Sequence, residues 1–199
     1  MHDLDATINY TEMALKATPD LNRATWLHNL DTHLRIRYQR TGKWQDLEDA
    51  INYTKVAVEE TPEDHPDRLR WLGSLGNHLE SRYEQTGNLQ DLGDSINCGQ
   101  EAVAATPEDD ASWAQLSNLG SRLNRRYKQT RHLQDLEDAI NYAQKAVAAT
   151  VEDHPDRAII LTNLAKHWSC QYKRTGDLRA LGAAIGYREE AWTFRISLK

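Results

Sequence analysis

The feature that leaves this chain fewest options is a repeat of about 44 residues that recurs along its whole length. Four segments read alike: Asp3-Leu4-Asp5-Ala6-Thr7-Ile8-Asn9-Tyr10, Asp46-Leu47-Glu48-Asp49-Ala50-Ile51-Asn52-Tyr53, Asp91-Leu92-Gly93-Asp94-Ser95-Ile96-Asn97-Cys98 and Asp135-Leu136-Glu137-Asp138-Ala139-Ile140-Asn141-Tyr142. Their starts lie 43, 45 and 44 residues apart, and a weaker fifth copy begins at Ala180-Leu181. A second block alternates with them and ends in Arg37-Tyr38-Gln39-Arg40-Thr41-Gly42, Arg82-Tyr83-Glu84-Gln85-Thr86-Gly87, Arg126-Tyr127-Lys128-Gln129-Thr130 and Gln171-Tyr172-Lys173-Arg174-Thr175-Gly176.

Both blocks have helical periodicity. Leu72, Leu75, Leu79 and Tyr83 fall at i, i+3, i+7 and i+11, and Leu136, Ala139, Ile140, Ala143 and Val147 trace a similar stripe. Gly42, Gly87 and Gly176 stand where the first helix of a pair should end in a left-handed cap. Asp46, Asp91 and Asp135 are placed to cap the helix that follows. Thr18-Pro19, Thr61-Pro62 and Thr106-Pro107 end the second helix, because proline cannot continue it. Asp64 and Asp153 precede His-Pro-Asp-Arg as a cap-and-proline start for the next pair. An isolated helix pair cannot bury its apolar face, so neighbouring pairs must stack. The expected fold is all-α: one domain spanning 1–199, a right-handed superhelical array of antiparallel pairs with about nine helices, repeat blocks starting at 3, 46, 91, 135 and 180.

The pattern Leu-x-x-Leu-Gly-x-x-Leu, then Ala-Ile-x-Tyr, then Ala-Val-x-x-Thr-Pro resembles a tetratricopeptide repeat (TPR), about ten residues longer than the usual unit. The Arg-Tyr-x-x-Thr-Gly-x-Leu-x-Asp-Leu wording is similar to repeat tracts in large fungal proteins, where they accompany NACHT-type ATPase or CHAT protease-like domains. The resemblance implies a scaffold that holds a protein or peptide in a concave groove lined by the first helix of each pair. Aligning Gly76 with the family's small mid-helix residue places His28, Asn29, Thr32, Arg35 and Ile36 on that face in the first unit. Gly73, Ser74, Asn77, Glu80 and Ser81 follow in the second, and Ser117, Asn118, Ser121, Asn124 and Arg125 in the third. Thr162, Asn163, Lys166, Ser169 and Cys170 complete it in the fourth. Asn29, Asn118 and Asn163 share one position, with Ser74 in the gap, and an amide can both donate to and accept from a peptide backbone. Arg35, Arg125 and Lys166 would favour an acidic partner segment.

The recurring Tyr38, Tyr83, Tyr127 and Tyr172 read as packing, and Arg37, Arg82 and Arg126 as partners of acidic side chains on the adjacent helix. No phosphate loop, dinucleotide-binding glycines, nucleophile elbow or His-Glu-x-x-His is present, so neither an independent enzyme nor a bound cofactor is expected. His65 and His154 lie in matching Glu-Asp-His-Pro-Asp-Arg loops two repeats apart, on the order of 20 Å at the usual helix spacing. They read as helix starts, not as ligands of one metal. His33, His78 and His167, with Arg122, share one position that reads as partly exposed packing. Trp168 reads as core, and Trp26 and Trp71 as a partly exposed packing site.

The chain has 24 Lys+Arg against 30 Asp+Glu, a formal net charge of −6, which argues against a nucleic-acid surface. No apolar run is long enough to span a membrane, and Cys98 and Cys170, the only cysteines, suit a reducing, cytoplasmic setting. The first block at Asp3 matches the second helix of a pair, and Trp192, Phe194, Ile196 and Leu198 suit neither a clean helical stripe nor a polar cap. Uncapped ends of this kind fit a piece of a longer protein, which the resemblance would make the regulatory sensor portion of a multidomain NACHT- or CHAT-type protein, or self-association into a homo-oligomer through the terminal helices.

Overall fold

A computed structural model describes residues 2–17, 23–106 and 112–197. Among these residues the structure is entirely helical, with nine helices: α1 (His2–Ala17), α2 (Arg23–Thr41), α3 (Trp44–Glu60), α4 (Pro66–Thr86), α5 (Leu89–Ala104), α6 (Trp113–Thr130), α7 (Leu133–Ala148), α8 (Arg157–Thr175) and α9 (Leu178–Ser197). The all-α, paired-helix expectation holds. The residues form two compact units, 1–98 and 99–199, with the division inside α5. In unit 1, α1, α2, α3 and α4 pack in succession; in unit 2, α6, α7, α8 and α9 do, and α6 also touches α8.

The apolar stripes read from the sequence are the core. Leu30, Leu34, Leu47, Ile51, Leu72, Leu79, Leu92 and Ile96 in unit 1, and Leu119, Leu123, Leu136, Leu161 and Leu164 in unit 2, are at most 2% exposed. Each such side chain removed from water stabilises the fold by roughly 1.5–3 kcal/mol. At Gly120 the backbone of α6 runs close against that of α7. A Cβ there would stand 3.0 Å from the Ala139 carbonyl oxygen, so a side chain would force the two helices apart.

The Arg-Tyr-x-x-Thr-Gly wording builds the turn inside each pair. The Thr41, Thr86, Thr130 and Thr175 hydroxyls donate to the carbonyl four residues back, at 2.7 to 2.9 Å. Each hydroxyl also accepts from the amide two residues on, at 3.1 to 3.2 Å. The amides of Gly42, Gly87 and Gly176 donate to the tyrosine carbonyls of their own units, and the three glycines take φ of 67°, 71° and 68°. In the third unit Arg131 occupies this left-handed position, with φ 61°.

The aspartates that open the second helices do not cap them. Asp46, Asp91 and Asp135 lie in the first turn and are almost fully buried. Two nitrogens of Arg37 donate to Asp46, both at 2.7 Å; Arg82 does the same to Asp91 at 3.0 and 2.6 Å, and Arg126 to Asp135 at 2.9 and 2.7 Å. Arg37 reaches Asp5 of α1 as well, and Arg82 reaches Glu48 of α3. The two-pronged fit of guanidinium to carboxylate is stronger than one cap bond, so it decides where the aspartate goes. These hydrogen bonds hold all three guanidinium pKa values above the ordinary arginine range, against the opposing effect of burial.

Connections between pairs differ from expectation in one atom. At His-Pro-Asp-Arg the imidazole, not the preceding aspartate, accepts the amide two residues on: His65 Nδ1 from the Asp67 amide at 3.2 Å, and His154 Nδ1 from the Asp156 amide at 3.1 Å. The arginine that follows reaches back to close the preceding helix, Arg68 to the Val58 and Thr61 carbonyls and Arg157 to those of Val147 and Thr150. His65 is therefore the N-cap of α4, whereas His154 holds the turn ahead of α8, whose N-cap is Asp156. Thr18-Pro19, Pro107 and Leu198 lie outside the described residues.

Five packing expectations need correction. His78, Arg122 and His167 are buried (4, 3 and 2% exposed), not partly exposed; His33 is half-buried. Trp71 is also core, at 1%, whereas Trp26 and Trp168 are half-buried. The position is buried because it faces the neighbouring pair: His78 Nε2 donates to Asp31 of α2 at 2.5 Å, and Asp31 stands where other units have glycine or alanine. The terminal Trp192, Phe194 and Ile196 belong to an unbroken helix, α9, on which Phe194 packs near Ala158, Leu161 and Ala191.

Candidate functional site

The first helices of successive pairs leave clefts between them, one in each unit. In unit 1 a cavity of about 350 Å³ is lined by Arg35, Tyr38 and Gln39 of α2 and Ser74, Asn77, His78 and Ser81 of α4. In unit 2 a cavity of about 230 Å³ is lined by Ser121, Asn124, Arg125 and Lys128 of α6 and Asn163, Lys166 and His167 of α8. These are the faces that the alignment on Gly76 singles out. Arg35, Ser74 and Asn77 come together in the first cleft, and Ser121, Arg125, Asn163 and Lys166 in the second. Asn29, Thr32, Glu80, Ser117 and Asn118 line neither cavity. Ser117 is buried at 7% exposure, because its position turns toward the helix packing; Asn118 is exposed and Asn29 half-buried.

The two clefts differ in charge. The unit 2 cavity has three cationic side chains, Arg125, Lys128 and Lys166, and no carboxylate in its lining. Lys166 Nζ donates to Asn163 Oδ1 at 3.3 Å. Burial, with help from Lys128 and then Lys166, pushes the His167 pKa down from 6.5 to about 4, so its ring is neutral near pH 7. Among the described residues neither His167 nitrogen has a hydrogen-bond partner, and neither has Asn124 Oδ1. A second cavity of about 460 Å³ adjoins through Lys128 and adds Arg131, Lys173 and Arg174 around Tyr127, Leu133 and Cys170.

Asn124 belongs to the face that the repeat pattern singles out, whereas Lys128, Lys173, Arg174 and His167 do not. Lys128 lies one turn beyond Arg125 on the same face, a signal present in the spacing. The burial of His167 had none, because it depends on how closely α8 approaches α6. Among the described residues there is no cluster of three or more His, Cys, Asp or Glu side chains able to hold a metal ion. Nor does any described helix have the length and apolarity to cross a membrane.

Comparison with known proteins defines the class by fold. No family model matches the chain, and no curated protein does. Solved structures do. MamA superposes with a TM-score of 0.68 at 18% identity, covering 98% of this chain and 91% of its own. The nearly identical TPR-like repeats from Podosopora anserina give 0.66 at 16% identity, covering 98% and 89%. BtubC (BKLC) from P. vanneervenii gives 0.57 at 14% identity, covering 99% and 90%. The chain thus has the TPR-like helical-repeat fold. At these identities the likeness speaks for the fold and leaves the function to be argued from the clefts.

Proposed function

We propose that this protein is an interaction scaffold whose first-helix clefts accept an extended segment of another protein, with acidic groups of that segment directed to unit 2. The observation that supports this most is the α6–α8 cleft, where four side chains chosen from the repeat pattern meet in one cavity free of carboxylate. Amides that donate and accept, next to cations that only donate, suit a peptide backbone bearing an anionic side chain. Neighbouring solved structures with the same fold make a repeat scaffold a natural use of it, and no residue constellation favours catalysis.

The test is a peptide array probed with the intact chain, followed by titration of hits against Asn163→Ala and Lys166→Gln. Binding that weakens about tenfold in each variant supports the reading, the loss expected from one charge-assisted bond. Hits unaffected by both substitutions would sink it.

A second reading rests on a different observation. Ile185, Trp192 and Ile196 on α9 are 48, 67 and 58% exposed, whereas Ile51, Ile96 and Ile140, the equivalents of Ile185 in earlier units, are at most 8% exposed. An apolar face left uncovered at that repeat position favours self-association through α9.

A further inference from the structure

Two polar side chains in the α6–α8 cleft are buried without partners. Asn124 is 5% exposed with its Oδ1 unpaired, and His167 is 2% exposed with both ring nitrogens unpaired. A buried polar group left in this state weakens a fold, and natural structures hold few of them. Here both line one cavity of about 230 Å³, together with Lys128 and Lys166.

The hydrogen-bonding inventory of that cavity restricts what can fill it. The neutral imidazole offers one donor and one acceptor, Asn124 Oδ1 is an acceptor, the two ammonium groups and Arg125 only donate, and Ser121 and Asn163 can do either. A ligand that satisfies the cations and the unpaired groups together carries negative charge, several acceptor oxygens and at least one donor. Carboxylate and sulfate satisfy the cations but have no proton for Asn124 or the imidazole. A phosphate monoester has a second pKa near 6, so near neutral pH it can retain one P–O–H while keeping its other oxygens for the lysines. The adjoining cavity, sharing Lys128 and surrounded by Arg131, Lys173 and Arg174, would take a further acidic group, with Tyr127 as an apolar wall.

Building on the peptide-cleft reading, we infer that the α6–α8 cleft recognises a phosphorylated side chain, with its phosphate held by Lys128 and Lys166 and hydrogen-bonded to Asn124 and His167. The probe is inorganic phosphate, titrated into the intact chain near neutral pH at constant ionic strength. Sulfate and acetate serve as acceptor-only comparisons, followed by NMR of the Asn124 side-chain amide and the His167 ring. Saturable shifts at both residues are expected, with phosphate binding about tenfold tighter than either comparison, the effect of leaving a buried acceptor unpaired. The double variant Lys128→Gln/Lys166→Gln changes two exposed side chains outside the core, and it should weaken phosphate by at least about tenfold. Sulfate equal to phosphate, acetate stronger than phosphate, or no saturable shift at Asn124 and His167 would each overturn the inference. A parallel array of unphosphorylated peptides separates the two readings. Retained peptides without phosphate selectivity defeat the phosphate site and spare the scaffold; phosphate selectivity without any retained peptide does the reverse.

Discussion

Arg131 stands where the other units use glycine. Its φ of 61° puts a Cβ into the left-handed region, which costs an L-residue on the order of 1–2 kcal/mol. The guanidinium lies 5.8 Å from the Tyr127 ring centre, a contact that offsets part of this cost. Arg131→Gly is expected to raise stability by about 0.5–1 kcal/mol, read as a higher urea midpoint at unchanged slope. His167 makes a second prediction at this scale. The unfolded chain takes up the imidazole proton near pH 6.5 and the folded chain only near pH 4. The unfolded state therefore binds more protons across that window, so the stability this residue contributes is whole above pH 6.5 and lost as the pH falls toward 4. The loss is on the order of 3 kcal/mol at about 1.4 kcal/mol per pH unit. His167→Leu, which cannot titrate, should flatten urea midpoints measured across that range in phosphate-free buffer. The periodic pattern made this histidine's repeat position legible. Its depressed pKa was not legible, because burial and two lysines from different helices cause it.

Between elements, the arginine–aspartate pairs fasten the first helix of each unit to the second. Arg82 is about one-fifth exposed on its side chain and Asp91 almost wholly buried, so removing the arginine strands a buried carboxylate. Arg82→Met should cost about 2–3 kcal/mol in a denaturant titration, whereas Arg23→Met, which breaks an exposed pair with Glu60, should cost less than about 1 kcal/mol. Equal losses would remove the argument that these pairs hold the units together. The last unit has lost both partners together: Gln171 replaces the arginine and Ala180 the aspartate, and Gln171 Oε1 is buried without a partner. The pairing was readable from recurrence alone, since Arg37, Arg82 and Arg126 each precede an aspartate by nine residues. Assigning the aspartates as caps failed because a cap and a first-turn ion pair place an acid at nearly the same sequence position. Only the approach of the arginine decides between them.

For the molecule as a whole, the exposed face of α9 sets the behaviour most open to measurement. If it joins copies of the chain, light scattering coupled to size exclusion will show a mass rising with concentration. Trp192→Glu with Ile196→Lys should return the protein to the monomer mass. A monomer at every concentration would leave the clefts as the principal interaction surface.

The helices, their pairing and most of the faces they bury were legible in the chain's repeat pattern. Those follow from local periodicity, turn chemistry and a repeat that states each rule four times over. It also brought Ser121, Arg125, Asn163 and Lys166 into one candidate cleft, because equivalent positions on successive first helices face the same way. Tertiary structure alone decided that Ser117 turns inward and that the imidazoles, not the preceding aspartates, start α4 and the segment before α8. It alone placed Asn124 and His167 unpaired beneath Lys128 and Lys166. Whether a polar side chain finds a partner depends on distances between helices far apart in the chain, and periodicity along one helix holds no record of them.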